Sequence, residues 1–314
     1  MLVPVYDIVN CGPRHRFVAN GKIVHNSDRV NLQNLPSRGD TSLKNCIRAP
    51  QGHTIVGADL SNIELRVGLW FADQQNSLDI IAEGLDLYKV FATQVFGVDY
   101  NDVNDNQRFI AKTSQLSLIY GVGAAKLRNA IQVASGKDIG QDEAERIVRL
   151  YRTQHAKVKQ MWDIGEICLQ SINSDERHAY GRNDVVSICG TDGCRLPVGL
   201  YMRYPELQRI TEDSRTQWVY NTRRGREYIY GAKFYQGLVQ ALARCIMGEQ
   251  MLHIAKKYHI ALTIHDAVYL VVPDNEVDQA VAFLKDKMSI APAWIPGIPL
   301  KADAHYGQTL ADAG

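Results

Sequence analysis

The sequence has little that would mark a membrane protein. No apolar run approaches the ~20 residues that a membrane-spanning helix needs, and Asp7, Asn10, Arg14 and His15 interrupt any signal-peptide core near the start. An excess of one charge is also missing, because 35 Lys and Arg residues nearly balance 34 Asp and Glu, for a net charge of +1. That balance neither predicts nor excludes nucleic-acid binding, since binding requires only a local basic face. We expect a cytoplasmic protein with no membrane partner.

Cysteine is scarce and irregularly spaced. The six cysteines among 314 residues follow no disulfide framework. Cys189 and Cys194 bracket a Gly-Thr-Asp-Gly sequence that could form half of a zinc site, but no second pair stands at matching spacing. The sequence therefore favours a turn with reduced thiols, and zinc is the alternative. The remaining composition, 46% hydrophobic and 22% charged, is ordinary for a globular protein of one to three domains.

The first thirty residues differ in character from the rest. Val3, Val5 and Ile8 precede a Gly12-Pro13 turn, and Asn20-Gly21 is typical of the two-residue turn of a β-hairpin. After Ser27 the composition becomes that of a mixed α/β domain. We therefore predict short strands in this segment and a domain boundary behind it.

Three consecutive residues at that boundary, His25, Asn26 and Ser27, form a chemically distinctive set. The side-chain amide of Asn26 can attack its own backbone carbonyl, which cuts the chain after Asn26 and leaves a succinimide. His25 can donate a proton to the leaving amide, and the Ser27 hydroxyl can accept an acyl group. On these residues alone, a hairpin with an incidental His-Asn-Ser is the commoner explanation.

A longer pattern favours the chemical interpretation. Together with Tyr6, Asp7, His15 and Asn20-Gly21, the His25–Ser27 set resembles the C-terminal segment of an intein. The resemblance implies that Asn26 cyclises with the help of His25 and that Ser27 is the first extein residue. His15 would support the reaction. Since the N-terminal intein blocks are absent from the sequence, we expect residues 1–26 to be half of a split intein that needs a partner chain.

Two aspartates stand on strand-like apolar runs far apart in the sequence. Residues 54–59 end in the carboxylate of Asp59, and residues 262–272 form an apolar run interrupted by His265 and Asp266. A charge inside so apolar a strand is costly unless it binds something. Two such carboxylates are what two Mg²⁺ ions need to activate a hydroxyl and hold a triphosphate, although the pair alone is weak evidence. Behind Asp59 we predict a helix capped by Ser61.

Residues 107–121 have helical periodicity. Four of them lie on one face because they are spaced four apart: Arg108, Lys112, Leu116 and Tyr120. Lys and Arg on a helix are usually a solvated stripe. A stripe that ends in Leu and Tyr-Gly suits a triphosphate held by the cations, with a base stacked further along.

These segments resemble the motifs of family A DNA polymerases. Residues 58–66 look like motif A, residues 108–121 like motif B on the fingers, and His265-Asp266 like motif C. Segments 31–38, 196–199, 240–244 and 294–300 also match the family, so the resemblance covers about residues 28–310 in the right order. It is nearest to the phage-type members, for which the compartment would be the host cytoplasm.

The resemblance implies roles for the matching residues. Asp59 and Asp266 would be the catalytic, metal-binding pair for two Mg²⁺ ions, with Mn²⁺ as an alternative ion. The incoming dNTP would be bound by Arg108, Lys112, Leu116, Tyr120, Glu64 and Tyr88. The DNA primer–template would be bound by Arg38, Gln240 and His265. Among these, Glu64 would crowd the 2′ position of the sugar against ribonucleotides, and Tyr120 would lie at the templating position.

Four residues depart from the family pattern. Ala267 stands where the family has Glu, Leu116 where it has an aromatic residue, Asn62 where it has Gln, and Tyr88 where a His is common. Since both aspartates are present, we expect activity, with altered metal use and unpredictable sugar discrimination. The Tyr88 hydroxyl is expected to take over one phosphate contact.

We expect an α+β fold, a palm whose antiparallel sheet carries both aspartates, with helical fingers inserted between them. Helical patterns dominate residues 60–92 and 105–172, and strand patterns cluster at 54–59, 196–204 and 262–272. Residues 27–60 and 190–314 would be mainly palm and 61–189 mainly fingers, behind the β-rich intein stub 1–26.

A thumb and an exonuclease domain have no counterpart in the sequence. We expect them on the partner, an N-terminal polymerase half that carries the N-terminal intein segment, and we expect the lone chain to be nearly inactive. Three functions are open: a polymerase part that becomes active after trans-splicing, a catalytically impaired relative that only binds DNA (because of Ala267), and a self-processing fragment with incidental cargo.

Overall fold

A computed structural model describes residues 16–19, 22–25, 42–212 and 214–314. Within these ranges no helix combines the length and the apolar character needed to cross a membrane. The helices, in chain order, are α1 (Ser42–Asn45), α2 (Ile63–Phe71), α3 (Gln75–Ala82), α4 (Leu87–Phe96), α5 (Asp105–Leu118), α6 (Ala124–Ser135), α7 (Gln141–Gln154), α8 (Ala156–Asn173), α9 (Gly231–Ile254) and α10 (Val277–Met288). The strands are β1 (Arg16–Ala19), β2 (Lys22–His25), β3 (His53–Leu60), β4 (Arg177–Tyr180), β5 (Val186–Cys189), β6 (Cys194–Arg195), β7 (Tyr201–Met202), β8 (Gln208–Glu212), β9 (Arg215–Thr222), β10 (Gly225–Ile229), β11 (Ile260–Ile264), β12 (Ala267–Pro273) and β13 (Ala302–Gly307).

The two strands that flank the predicted Asn20-Gly21 turn pair with each other. β1 and β2 are antiparallel, with Ala19 opposite Lys22, and the two turn residues themselves lie outside the described residues. The strands predicted from Val3 to Ile8 and the Gly12-Pro13 turn lie outside the described residues, as do His15, Asn26, Ser27 and Arg38.

The chain divides into two compact units. The first unit comprises the residues up to Ala58, His259–Ala282 and Ala304–Gly314. The second comprises Asp59–Tyr258 and Phe283–Asp303.

A four-stranded sheet with the order β11-β12-β3-β13 organises the first unit. Its buried core consists of Ile55, Ile264, Ala267, Tyr269, Leu310 and Ala313. Gly57 permits a close approach in this core, because a Cβ at that position would lie 2.3 Å from the carbonyl oxygen of Ala313. At the other end of β3, the Thr54 hydroxyl donates to Asp274 Oδ1 at 2.8 Å.

The prediction of one continuous strand over 262–272 is wrong. β11 and β12 form an antiparallel pair with Ile264 opposite Ala267, so His265 and Asp266 are the two-residue turn between them. His265 has a φ of 51°, the left-handed conformation that such tight turns require. Because the turn contains no Gly or Asn and both flanks are apolar, the composition does not indicate it. Asp266 is therefore presented on a turn and is not embedded in a strand.

Helices α2, α8 and α9 supply the core of the second unit. Trp70 and Phe71 of α2 are fully buried, as are Phe234 and Tyr235 of α9. The buried Tyr235 hydroxyl has a hydrogen-bond partner, because it donates to the carbonyl oxygen of Gly68 at 2.7 Å. The apolar face of each helix is thus buried against its neighbours, which is the main source of helix stability in a globular protein.

The start of α9 lies very close to α8. A Cβ on Gly231 would be 1.9 Å from the carbonyl oxygen of Trp162, and a Cβ on Gly165 would be 2.6 Å from that of Gly231. Glu166 of α8 accepts the Gly231 N–H at 2.6 Å and the Trp218 indole N–H at 3.1 Å. A carboxylate therefore caps α9, where the helix dipole favours negative charge.

Two further sheets belong to the second unit, with the orders β4-β5-β6-β7 and β10-β9-β8. The strand predicted over 196–204 is reduced to β7, whose two residues follow a turn at Gly199 with φ 84°. The sequence did not indicate β8 to β10, because these strands lack a regular apolar alternation and four of the five β8 residues are exposed. Apart from these differences, helices and antiparallel sheets occur as the α+β prediction requires.

A candidate nucleotide-binding site

Helix α5 carries the predicted basic face. It begins with a capping box, in which Asn104 Oδ1 accepts the Gln107 N–H and Gln107 Oε1 accepts the Asn104 N–H, both at 3.0 Å. The buried side of the helix consists of Ile110, Ala111, Ser114, Gln115 and Leu118. Arg108, Lys112 and Leu116 remain at least partly exposed on the other side. The helix ends at Leu118, and Tyr120 lies two residues beyond it. The prediction that the helix includes Tyr120 is therefore wrong.

Asp86 joins the start of α4 to α5. Its Oδ1 accepts the backbone N–H groups of Tyr88 at 2.9 Å and Lys89 at 3.3 Å, the usual arrangement of an N-cap. Its Oδ2 accepts the Nε–H of Arg108 at 2.6 Å. The Asp86 backbone N–H donates to the Tyr100 hydroxyl at 3.0 Å, so the residue is also fixed through its main chain. One carboxylate thus caps a helix and pairs with a predicted phosphate-binding cation.

Tyr88 lies under both cations of α5. Its side chain is only 3% exposed, and its ring centroid is 5.7 Å from the Arg108 guanidinium and 5.8 Å from the Lys112 ammonium. These distances are within the range of cation–π attraction. Its hydroxyl donates to Asn62 Oδ1 at 2.9 Å. Burial, and then the nearby Asp86 carboxylate, raise the pKa of Tyr88 well above its ordinary value, so the phenol is neutral at physiological pH.

The start of α2 differs from the prediction. Its N-cap is Asn62, with a left-handed φ of 51° and no side-chain capping hydrogen bond, and not Ser61. The Ser61 hydroxyl donates instead to Asp303 Oδ2 at 2.6 Å, and its backbone N–H donates to the carbonyl oxygen of Lys301 at 2.9 Å. The Ser61 hydroxyl therefore donates to the Asp303 carboxylate and does not cap the helix. The segment 299–303 holds the beginning of α2 in place.

Glu64, in the first turn of α2, accepts a hydrogen bond from Tyr120. The Tyr120 hydroxyl lies 2.6 Å from Glu64 Oε2, and Gln240 Nε2 of α9 reaches the same oxygen at 3.5 Å. Burial and the hydrogen bond to Glu64 raise the pKa of Tyr120. Behind Tyr120, the Trp162 indole N–H donates to the carbonyl oxygen of Ile119 at 3.1 Å, which holds the end of α5 against α8.

The predicted nucleotide residues that the second unit contains form two contact groups. Contacts link Arg108 and Lys112 to Tyr88, Tyr88 to Asn62, and Glu64 to Tyr120 and Gln240. Leu116 lies on the same face of α5 and is 38% exposed. Asp86 was missed by the sequence analysis, although an Asp before an apolar helical run is an N-cap signal. Its pairing with Arg108, 22 residues away, leaves no trace in the sequence.

The two predicted metal-binding carboxylates are presented differently. Asp59 is the penultimate residue of β3 and is partly exposed, whereas Asp266 is a partly exposed turn residue beside the exposed His265. In the sheet order, β3 and β12 are neighbours. Oxygen donors of this kind suit Mg²⁺, which commonly binds one or two protein carboxylates and completes its shell with phosphate oxygens and water. Each of the two carboxylates, taken by itself, is therefore a donor of the kind that this ion takes.

No group of three or more His, Cys, Asp or Glu residues that could hold a metal ion occurs among the residues described by the structure. Cys189 and Cys194, considered above as half of a zinc site, lie at the end of β5 and the start of β6 and are free thiols. Gly193 between them has a φ of 90° in the connecting turn. Burial raises the pKa of the Cys194 thiol, which disfavours the thiolate that zinc binds. These features favour the turn with reduced thiols, which stays a prediction.

Comparisons with known proteins identify the family of the chain. The model of DNA polymerase family A matches residues 15–186, more than half of the chain. DNA polymerase I of Chloroflexus aurantiacus is 26% identical over 280 residues, which cover 86% of this chain and 26% of that protein. The DNA polymerase of Bacillus phage SP02 is 26% identical over 270 residues, covering 81% of this chain and 40% of that protein.

A shorter, more similar match is DNA polymerase I of Pseudomonas aeruginosa, 38% identical over 121 residues. Among solved structures, the POL domain of Pol1 from M. smegmatis, in complex with DNA primer-template and dNTP, has a TM-score of 0.57 and 18% identity. That match covers 90% of this chain and 45% of the other, and it confirms a polymerase-like α+β fold. The chain spans less than half the length of each of these relatives. It belongs to DNA polymerase family A.

Proposed function

We propose that the chain carries the fingers and the catalytic part of the palm of a template-directed DNA polymerase. The observation that carries the proposal is the joint arrangement of the α5 cations and the Tyr120–Glu64 pair. Two cations one helical turn apart suit a triphosphate, because guanidinium and ammonium groups form charge-assisted hydrogen bonds to phosphate oxygens. Membership of family A supports nucleotidyl transfer to a primer 3′-hydroxyl as the reaction.

Each residue of the site has a part in holding the nucleotide. Arg108 and Lys112 bind the triphosphate of the incoming dNTP. Leu116 contacts the sugar and base, and Tyr120 lies at the templating position. Glu64, fixed by the Tyr120 hydroxyl, crowds the 2′ position of the sugar and so disfavours ribonucleotides. Together these contacts place the α-phosphorus for in-line attack, a positioning effect that can supply much of the rate enhancement.

Asp59 and Asp266 are the proposed ligands of two Mg²⁺ ions, with Mn²⁺ as an alternative. When bound, the ions make the primer hydroxyl a better nucleophile and neutralise charge on the phosphates. Arg38, Gln240 and His265 are the proposed contacts to the primer–template, near the minor groove, where correct base pairs look alike. Arg38 lies outside the described residues.

We further propose that residues 1–26 are the C-terminal part of a split intein, so that the active polymerase forms by trans-splicing to an N-terminal half. Support comes from the intein-like residues and from the β1–β2 hairpin, which ends at His25, immediately before Asn26 and Ser27. The family match begins at residue 15, so its start does not coincide with the boundary that this proposal places after Asn26. Two other functions compete: a DNA-binding relative impaired by Ala267, and a self-processing fragment with incidental cargo.

In the splicing step, the Asn26 side-chain nitrogen attacks its own backbone carbonyl carbon. The bond to the Ser27 nitrogen breaks, Asn26 becomes a succinimide, and His25 donates the proton that the leaving nitrogen takes up. Before this cleavage, the Ser27 hydroxyl attacks the acyl group that the first nucleophile of the N-terminal intein segment holds; the acyl–nucleophile bond breaks, and that nucleophile leaves with the Ser27 hydroxyl proton. After the cleavage, the acyl group moves from the Ser27 oxygen to the freed nitrogen, which restores the hydroxyl. His15 assists the reaction.

Co-expression with the N-terminal half tests the proposal. We expect a ligated product beginning its C-terminal part at Ser27, identified by mass, and primer extension by that product. Asn26→Ala should block ligation. Asp59→Ala should abolish extension while the exposed control Asp99→Ala leaves it unchanged. If Asp59→Ala incorporates nucleotides at the normal rate, the catalytic assignment is wrong, and if no ligation occurs with any half, the intein assignment is wrong.

A further inference from the structure

The first turn of α4 contacts both cations of α5. Asp86 pairs with Arg108 through Nε at 2.6 Å, and Tyr88 lies beneath Arg108 and Lys112 at 5.7 and 5.8 Å. We call Asp86 and Tyr88 the α4 seat. Each is anchored from a second direction, Asp86 by capping α4 and by Tyr100, and Tyr88 by Asn62. The α4 seat is therefore held in place independently of the cations that rest on it.

We propose that Asp86 and Tyr88 are positioning residues that orient Arg108 and Lys112 for a nucleoside triphosphate. The inference rests on the proposed function, because it assigns how that nucleotide site is built. Neither residue needs to touch the phosphates. Asp86 acts through the guanidinium that it holds, and Tyr88 acts through the face of its ring.

The geometry of arginine explains the role of Asp86. A guanidinium is a rigid, planar group of N–H donors. Asp86 accepts the N–H on Nε of Arg108. The two terminal nitrogens then share the edge opposite Cδ, which suits two parallel hydrogen bonds to phosphate oxygens. The Arg108 side chain is 38% exposed, so part of it is accessible to a ligand. The flexible Arg108 side chain is thus oriented before the ligand binds, which lowers the conformational entropy that binding costs.

The environment of Tyr88 favours a role for its ring in place of the phosphate contact by its hydroxyl that the family resemblance implies. The side chain is 3% exposed and its hydroxyl already donates to Asn62. The ring face carries the negative side of the aromatic quadrupole toward both cations. Arg108 and Lys112 are like charges four residues apart on one helix and repel each other. The attraction of both to the Tyr88 ring opposes this repulsion.

A different role for Asp86 predicts the opposite sign. If its carboxylate competes with phosphate for Arg108, removing its charge strengthens nucleotide binding. Removing a negative charge beside an anion site should also strengthen binding by electrostatics alone. A weaker affinity in a correctly folded Asp86→Asn chain therefore indicates lost orientation. Asn is as good an N-cap as Asp, so α4 should keep its start in this variant.

The test measures binding of MgdATP and of magnesium tripolyphosphate to the 314-residue chain, and KM and kcat of the ligated polymerase. We expect Asp86→Asn to weaken both ligands and to raise KM about tenfold, with kcat within about twofold. Asp138→Asn removes another Asp–Arg pair, with Arg128, and should change neither constant. Asp86→Ser, a second capping residue, should behave like Asp86→Asn if the latter is poorly folded. Unchanged or tighter binding in the Asp86 variants overturns the proposal for Asp86.

Two Tyr88 variants separate the ring from the hydroxyl. Tyr88→Leu should bind roughly fivefold more weakly than the natural chain, whereas Tyr88→Phe keeps the ring and should lose clearly less affinity than Tyr88→Leu. Equal losses in both variants would assign the effect to the hydroxyl and overturn the ring role. Arg108→Gln reports on the proposed function itself. If it leaves nucleotide binding intact, the site is misassigned, and if it weakens binding while the Asp86 and Tyr88 variants do not, only the α4 seat is wrong.

Discussion

The Tyr120 hydroxyl donates a 2.6 Å hydrogen bond to Oε2 of Glu64, which joins the segment after α5 to the first turn of α2. The two residues are 56 positions apart. Because burial raises the pKa of Tyr120, the phenol is a stable donor to the carboxylate at any physiological pH. A hydrogen bond between a neutral donor and a charged acceptor is stronger than the average protein hydrogen bond. The pair therefore fixes the predicted sugar-contacting carboxylate to the predicted base-contacting residue.

Removal of the Tyr120 hydroxyl should uncouple these residues. We expect Tyr120→Phe to lower the free energy of unfolding by about 1.5–3 kcal/mol, the usual range for a hydrogen bond to a charged group. Glu64→Gln should lower the free energy of unfolding by less, because the amide oxygen of the new Gln still accepts the Tyr120 hydroxyl. In a double-mutant cycle measured by urea denaturation, Tyr120→Phe should have a smaller effect in the Glu64→Gln background. Strict additivity of the two changes would show that the charge of Glu64 adds nothing to the hydrogen bond.

Two glycines of the same helix, Gly231 and Gly248, should respond in opposite directions to substitution by alanine. Gly231→Ala places a Cβ 1.9 Å from the carbonyl oxygen of Trp162, so α8 and α9 must separate, and we expect a loss of about 1–3 kcal/mol or more. Gly248→Ala meets nothing within 4 Å, and a helix-interior Gly→Ala change stabilises by roughly 0.5–1 kcal/mol. Thermal unfolding measures both. A neutral Gly231→Ala would mean that the helices are less closely packed than described.

Local patterns in the sequence were sufficient for α5 and its basic face. The spacing of Arg108, Lys112 and Leu116 predicts which side of the helix they share, because helical geometry acts over a few residues. The same is true of the Asn20-Gly21 hairpin, whose turn chemistry is local. The family resemblance added the order of the segments and the α+β fold.

Tertiary partners explain what the sequence did not indicate. Ser61 fails as a cap because Asp303, 242 residues away, accepts its hydroxyl. The hairpin at His265 and Asp266 looks like one strand because its turn has neither Gly nor Asn. Asp86 was overlooked because its partner Arg108 is on another helix. In each case a long-range contact or an unusual backbone conformation, absent from any local window, decides the outcome.

Ala267 should not accept the glutamate that the family resemblance leads one to expect. It is 7% exposed and belongs to the apolar core of the first unit with Ile55 and Tyr269. We expect Ala267→Glu to lower the free energy of unfolding by several kcal/mol at pH 7, because burying a carboxylate is costly. Burial would raise the pKa of this carboxyl, so the penalty should be full above the raised pKa and should fade as the group is protonated toward pH 4.

Ala267→Met is the matched control, since it adds similar length without charge. Denaturation of both variants at pH 7 and pH 4.5 separates the effect of size from that of charge. Should Ala267→Glu prove as stable as Ala267→Met at pH 7, the new carboxylate must reach solvent, and the position would be open to a third acidic group.

His155 should make the stability of the second unit depend on pH. It joins α7 to α8, is 4% exposed, and stacks on Tyr151 with 4.2 Å between ring centroids. Its Nδ1 is 3.3 Å from the carbonyl oxygen of Tyr151 and its Nε2 is 3.3 Å from the Ser77 hydroxyl. A neutral imidazole satisfies both, by donating from Nδ1 and accepting at Nε2. Burial lowers the pKa of His155 to about 4, against an ordinary value of 6.5.

The sign of the effect follows from proton binding. Between about pH 6.5 and pH 4 the unfolded chain binds a proton at this residue and the folded chain does not, so stability decreases as the pH falls through this window. The full effect of such a shift is on the order of 3 kcal/mol. We expect urea denaturation at pH 7, 5.5 and 4.5 to show this loss in the natural chain and a smaller one in His155→Gln. His253→Gln, at an exposed position of α9, should retain the original pH dependence. If His155→Gln and His253→Gln lose stability equally with falling pH, His155 is protonated in the folded protein and the buried neutral imidazole is wrong.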